Sequence, residues 1–381
     1  MALPQKISVL FICQGPFGYK GRAASYMFPK VLAENGHTVN IISFTFMQGY
    51  SSTDIVFDQN DDDKFSIEEY TTPSFSQRLR VVRDCIVKHR PDIVHTYEMP
   101  YYFLLPIICK LSGILAPKWL IDIRSPPLNT PRSFYKRIIK QIRFLHQTGF
   151  DAIISPASES ARSHFLKLFK PFYEVPFGVD VSLAKPKVWD KKGCQQKIKF
   201  VYIGSISRKR RLETLVTAIN LVKKKYPYQF QVDFFGSGDF FETMKDNIRN
   251  MKLADVINLR GVVAHAQLLE KLCEYDVGIG YVPYEKYMVS PALKVLEYMA
   301  ANLLVIASDT DGIKQQVIHN SNGLLFKNTP ESIFKTMAGV IENGCPPEIM
   351  TAGYEYAQKN SWAAIVKDKL LPVYTKLLQY T

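Results

Sequence analysis

Residues 7–44 read ISVLFICQGPFGYKGRAASYMFPKVLAENGHTVNIISF, and this stretch decides the architecture. Ile7–Cys13 is an unbroken apolar run of the kind that forms a strand buried on both faces of a parallel sheet. A loop with Gly15, Gly18 and Gly21 follows, then a segment of helical period over Ala23–Asn35 that Gly36-His37 closes. Thr38–Phe44 is the next apolar run, so the whole reads as one βαβ unit.

The same alternation continues outward from this unit. Further strands are expected at Asp92–Thr96, Trp119–Ile123, Ala152–Ser155 and Tyr173–Pro176. Gly49–Tyr70 breaks the rhythm: it holds Asp61-Asp62-Asp63 and few apolar residues, and is expected as an exposed excursion. A second series begins after Pro176-Phe177-Gly178-Val179-Asp180 and the lysine-rich stretch Lys185–Lys199. Its strands are expected at Lys199–Ile203, Gln231–Phe235, Val256–Leu259, Val277–Tyr281, Leu304–Ala307 and Leu324–Phe326. The fold class is therefore α/β, with two doubly wound domains at residues 1–180 and 181–365. In open sheets of this kind ligands bind beyond the carboxyl ends of the strands.

Composition narrows the function classes. The 381 residues are 47% hydrophobic and 22% charged, enough apolar surface for a core in each half, which excludes disordered and fibrous chains. A formal net charge of +13 favours phosphate-bearing partners, whether nucleic acid, anionic lipid or phosphorylated small molecules. The six cysteines form no C-x-x-C pair and no zinc pattern, so they read as reduced packing residues of a cytoplasmic protein. The longest apolar run, Tyr101–Cys109, falls far short of the ~20 residues of a membrane span.

Three segments carry candidate chemistry. In Tyr287–Ala307, YMVSPALKVLEYMAANLLVIA, Ser290 suits an N-cap and Pro291 the first helical position. The amides of Ala292 and Leu293 would then be free to hold a diphosphate at the positive end of the helix. Glu297, two turns in, can accept from the hydroxyls of a ribose, or can be a solvated helix carboxylate. The second segment is Gly204–Arg211, GSISRKRR, between a strand and a helix, where consecutive basic residues can hold phosphate oxygens. A nucleic-acid surface would interleave aromatics or spread its charge, and this loop does neither. The third is the loop Gln14–Arg22, whose glycines allow close backbone approach; it lacks the G-x-G-x-x-G of a dinucleotide-binding dehydrogenase.

Taken in order, these and other segments resemble the retaining glycosyltransferases of family 4, of GT-B fold. The resemblance spans GPFGYKGRAASYMFPKVLAENGHTV at 15–39, PDIVHTYE at 91–98, VPFGVD at 175–180 and YIGSISRKRRLETLVTAI at 202–219. It continues through FFGSGD at 234–239, SPALKVLEYMAANLLVIASD at 290–309, NGLLF at 322–326 and SW at 361–362. It implies two Rossmann-like domains facing across a cleft, with the terminal helix, residues 366–381, returning to the first domain. It also implies a UDP- or GDP-linked sugar donor as co-substrate, held by the second domain, with no separate cofactor and no metal. By position Glu297 resembles the ribose-binding glutamate, Arg210 the basic residue on the diphosphate and Gly18 the glycine approaching it from the first domain. Gly204, Ser290, Ala292 and Leu293 complete the donor contacts.

Several positions depart from the family pattern. Val289 stands where a first glutamate would contact the donor sugar, and Ser205 where an arginine often follows the strand glycine. Tyr97 takes the place of a second histidine, which leaves His95 alone, either a candidate sugar contact or a structural histidine at a strand end. The resemblance implies retention of configuration, with the leaving phosphate deprotonating the acceptor and no protein nucleophile. The acceptor is expected to be a glycan or a lipid-linked intermediate. A GT-B epimerase or phosphorylase and a basic nucleic-acid-binding protein are the rival readings, although nucleic acid is not the expected partner. Finally, Arg132–His146, RSFYKRIIKQIRFLH, has the pattern of a basic amphipathic helix, and no acidic residue occurs from Ile123 to Phe150. It can pack on the sheet, and it can also dock the protein peripherally on anionic lipid at the inner membrane face.

Overall fold

The computed structural model describes residues 6–15, 17, 24–45, 65–71, 73–124, 143–189, 197–283 and 289–379. The chain forms two compact units, residues 1–177 with 362–381, and residues 178–361. The boundaries expected at 180/181 and 365/366 thus fall at 177/178 and 361/362.

The first unit is built on a seven-stranded sheet. Its strands are β1 (Ser8–Gln14), β2 (Thr38–Thr45), β3 (Ser66–Thr71), β4 (Ile93–Tyr97), β5 (Lys118–Asp122), β6 (Ala152–Ser155) and β7 (Phe172–Glu174). They lie in the order β3-β2-β1-β4-β5-β6-β7 and every pair is parallel. β1 and β4 are buried almost throughout; β1 is accordingly an apolar run without alternation, whereas β4 also buries the polar His95 and Thr96. β3 corrects the expected excursion: Ser66–Thr71 adds an edge strand in register with Asn40–Thr45. Its alternation is weak because an edge strand is half covered, and Ile67 and Tyr70 are only partly buried. Residues 49–64 of that expected excursion lie outside the described residues.

The chain ends in this unit for an identifiable reason. Trp362, Ile365, Val366, Leu370 and Tyr374 are all buried. Trp362 meets Phe28 of the helix Ala24–Glu34 edge to face at 5.5 Å. The hydroxyl of Tyr374, in the last helix Leu371–Gln379, lies 2.6 Å from His95 Nδ1 on β4.

The second unit holds a six-stranded parallel sheet. Its strands are β8 (Ile198–Ile203), β9 (Phe230–Phe235), β10 (Ile257–Gly261), β11 (Val277–Gly280), β12 (Leu304–Ser308) and β13 (Leu324–Phe326), ordered β10-β9-β8-β11-β12-β13. Helices such as Glu213–Lys225, Leu293–Ala300 and Pro330–Asn343 cover the sheet with their apolar stripes. The last of these shows its start in sequence: Thr329 caps it by accepting from Ser332 N–H at 3.2 Å, with Pro330 at the first helical position. No described helix is long and apolar enough to cross a membrane.

Candidate functional site

In the second sheet the strand order reverses between β8 and β11, the place where open α/β sheets leave a crevice for ligands. The segments leaving those two strands are Gly204–Arg211 and the approach to the helix Leu293–Ala300. Two of the three candidate segments therefore start from one point of the sheet. Tyr298 ties them together, its hydroxyl accepting from Ile203 N–H at 2.8 Å.

The basic segment is a short 3-10 turn, Arg208–Arg210, and its cations take different directions. Arg208 leans toward β9: its N–H donates to Asp239 at 3.0 Å, and its guanidinium lies 3.4 Å from Thr243 Oγ1 and 5.9 Å from the Phe240 ring. Arg211 ends the turn at φ +48°, and its carbonyl accepts from Tyr281 OH at 3.1 Å. The charge of Arg210 reaches the Leu293–Ala300 helix, where it acts on Lys294. Gly204 opens the turn at φ +143°, a backbone conformation that favours glycine. An added Cβ there would lie 2.9 Å from Lys294 Nζ.

The helix start differs from the sequence expectation. Ala292 is the N-cap, with extended backbone, and the helix begins at Leu293 rather than at Pro291. Ser290 makes no capping bond, and its backbone is packed against Gly312, where an added Cβ would come 2.7 Å from Ser290 N. The Ala292 amide is not free either: it donates to Gln316 Oε1 at 2.9 Å. Leu293, the first helical residue, keeps an N–H that no intrahelical carbonyl can reach.

Glu297 is not a solvated helix carboxylate. It is 4% exposed, and its Oε1 is 2.6 Å from Nε2 of His265, at the start of the helix after β10. One turn earlier on the same face stands Lys294. Its Nζ is buried and lies 4.0 Å from the centre of the Tyr202 ring. Burial, and then the Arg210 charge, hold this ammonium well below the usual lysine range, against a smaller pull from Glu297. His265, Lys294 and Gln316 were not singled out in sequence. Lys294 was within reach of the i, i+3 rule from Glu297, whereas His265 and Gln316 arrive from other elements.

In the first unit His95 is completely buried. Its ring stacks on Phe11 at 4.7 Å, and its nitrogens lie 2.6 Å from Tyr374 OH and 3.3 Å from Asp122 Oδ2. Burial lowers its pKa, opposed by the hydrogen bond to Asp122. With no exposed edge and both nitrogens occupied, His95 holds the end of the chain on β4 and offers a sugar nothing in this arrangement. A recess of about 380 Å³ opens nearby, beyond the ends of β1 and β4, lined by Gln14, Glu98, Tyr101, Tyr102, Phe103, Arg143, His146 and His164 among others. His146 stacks on Phe103 at 3.9 Å, and His164 Nε2 is 2.9 Å from Tyr102 OH. Burial raises the Glu98 pKa.

Gly18 and residues 132–142 of the basic segment lie outside the described residues. Arg143–Gln147, at its end, is a 3-10 turn rather than the last turn of an α-helix. Among the described residues one cluster brings potential metal ligands together, Glu68, Cys85 and His89, with Lys88 Nζ 3.3 Å from Glu68 Oε1. It lies on β3 and the adjoining helix Phe75–His89.

Residues 187–360, all in the second unit, match the family model of the glycosyl transferases group 1. No curated protein matches the chain in sequence. Among solved structures, a sucrose-phosphate synthase from Thermosynechococcus elongatus is similar over 98% of this chain and 100% of its own, at 17% identity and a TM-score of 0.74. A glycosyltransferase from Rickettsia africae matches over 99% and 100%, at 17% identity and a TM-score of 0.74. Anabaena HepE, solved in complex with UDP, matches over 97% and 100%, at 13% identity and a TM-score of 0.73. These likenesses establish the two-sheet α/β fold of GT-B type.

Proposed function

We propose that the chain is a glycosyltransferase that moves a sugar from a nucleoside diphosphate donor, UDP- or GDP-linked, to a glycan or lipid-linked acceptor. The observation that carries the reading is the meeting of Arg210, Glu297 and the Leu293 helix start at the β8/β11 switch point. The match of residues 187–360 to the glycosyl transferases group 1 supports it, as does HepE, which was solved with UDP.

In this reading the second unit binds the donor. Arg210 and the Leu293 amide face the phosphates, and Glu297 takes the ribose hydroxyls by exchanging its His265 partner for them. As the bond from the sugar's anomeric carbon to phosphate breaks, negative charge grows on the diphosphate. Fixed cations and amides stabilise that charge without reorganising. The acceptor hydroxyl attacks from the same face and gives its proton to the departing phosphate, so configuration is retained and neither a protein nucleophile nor a metal is needed. The recess beyond β1 and β4 is the proposed acceptor site, since aromatic rings beside a carboxyl suit a sugar ring. Peripheral association with the inner membrane face through the basic segment around Arg143 is part of the same proposal.

The test is a thermal-shift screen with UDP, GDP, ADP and oligonucleotides, followed by turnover with the nucleotide sugar it selects. One nucleoside diphosphate should stabilise the protein, and Glu297→Gln and Arg210→Ala should each lose about ten- to a hundredfold in kcat/KM, the worth of one charge-assisted contact of about 1.5–3 kcal/mol. Stabilisation by oligonucleotides alone, or unchanged kcat/KM in both variants, would refute the reading.

A further inference from the structure

The second unit contains a cation that the family resemblance does not assign. Lys294 Nζ is buried and has no hydrogen-bond partner among the described residues. A buried ammonium retains three donors, and the face of Tyr202 at 4.0 Å answers its charge without accepting their hydrogens. Retaining such a group is costly unless something else completes it.

Its surroundings indicate what that is. The charges acting on Lys294 are Arg210, from the turn after β8, and Glu297, one turn along its own helix. Glu297 already has a partner, His265, at 2.6 Å. Two basic groups, Arg210 and Lys294, thus stand where β8 and β11 diverge, and the Glu297 carboxylate beside them is already engaged by His265. An added Cβ at Gly204 would stand 2.9 Å from Nζ, which places the lysine end beside the start of the turn after β8. The next residue, Ser205, is exposed and neutral, so this position itself supplies no cation. Lys294 as a whole is only partly buried, so rotation about its terminal bonds, without movement of the helix, can present the ammonium to a ligand.

We propose that Lys294 is a direct ligand of the donor diphosphate, supplying from the helix the second cation, beside Arg210, that Ser205 does not supply from the strand end. The proposal rests on the nucleotide-sugar reading above and makes this lysine specific for the phosphates rather than for the base or ribose. Burial and Arg210 both disfavour the ammonium in the free protein, and a doubly charged anion at this point reverses that balance.

The test compares the full chain with Lys294→Met and Lys294→Gln by calorimetric titration with UDP, GDP, uridine and guanosine. The diphosphate that binds wild type should bind both variants on the order of ten- to a hundredfold more weakly, while the matching nucleoside binds all three alike. The glutamine variant fills the same space with a neutral polar group and serves where methionine does not fold. Equal diphosphate affinity in the variants overturns the proposal. So does an equal loss for diphosphate and nucleoside, which marks a packing role. Failure of unmutated protein to bind either diphosphate is a different result: it removes the nucleotide-sugar reading and this proposal with it.

Discussion

Replacing Gly236 by alanine tests whether the loop after β9 shapes the turn after β8. Gly236 sits at φ +138°, where a side chain is strained. An added Cβ would lie 2.9 Å from the Gly204 carbonyl carbon and closer still to its oxygen. Neither side can yield cheaply. Gly236 N–H is bonded to Gly261 O at 2.7 Å, and Gly204 N–H to Phe235 O at 3.0 Å. The unfavourable backbone conformation costs about 1–3 kcal/mol and the overpacking against backbone a similar amount. We expect a loss on the order of 3 kcal/mol, which for a unit of this size lowers Tm by about 6–12 °C. Gly339→Ala is the control. Gly339 lies inside the helix Pro330–Asn343 with nothing within 4 Å of an added Cβ, so alanine should stabilise by about 0.5–1 kcal/mol. The assay is thermal unfolding of both variants beside wild type, with diphosphate affinity as a second reading. A Gly236→Ala protein that melts within about 2 °C of wild type, by the same conversion, would refute the account of how the two loops fit.

Two further outcomes are expected. His164 is buried against Tyr102, and burial, then Arg143 and His146, push its pKa from 6.5 down to about 3, so the folded protein binds fewer protons than the unfolded chain between those values. Stability should therefore hold above pH 6.5 and fall on acidification through that window, by up to about 1.4 kcal/mol per pH unit, with Glu98 opposing weakly near its own titration; a Tm–pH slope unchanged in His164→Asn would contradict this. Second, anionic vesicles should pellet the protein at low salt and neutral vesicles should not, since each basic residue near the surface contributes roughly 1 kcal/mol that salt screens. Changing Lys136, Arg137, Lys140 and Arg143 together to Gln should abolish the effect, and equal pelleting of that variant would exclude this segment as the docking face.

Local pattern determined most of the framework. Ala152–Ser155 and Leu324–Phe326 occur at the residues expected, and other strands, such as Ser8–Gln14 and Ile93–Tyr97, are displaced by one. Strands buried on both faces announce themselves as apolar runs, and turn residues bound them, so neither depends on distant partners. β3 escaped because an edge strand carries charge and only half of it is covered. The candidate site was legible to the same degree. Arg210 and Glu297 stand out in the chain as a basic turn and a carboxylate on an apolar helix, and both lie at one switch point. What each side chain does there was decided by tertiary contacts. Gln316, far along the chain, takes the Ala292 amide; the Ser290 backbone lies against Gly312; His265 claims Glu297; and Tyr374 and Asp122 close off His95. The physical reason is one of range. Helix, strand and turn follow from neighbours a few residues apart, whereas the partner of a buried polar group is supplied by whichever element the fold brings beside it.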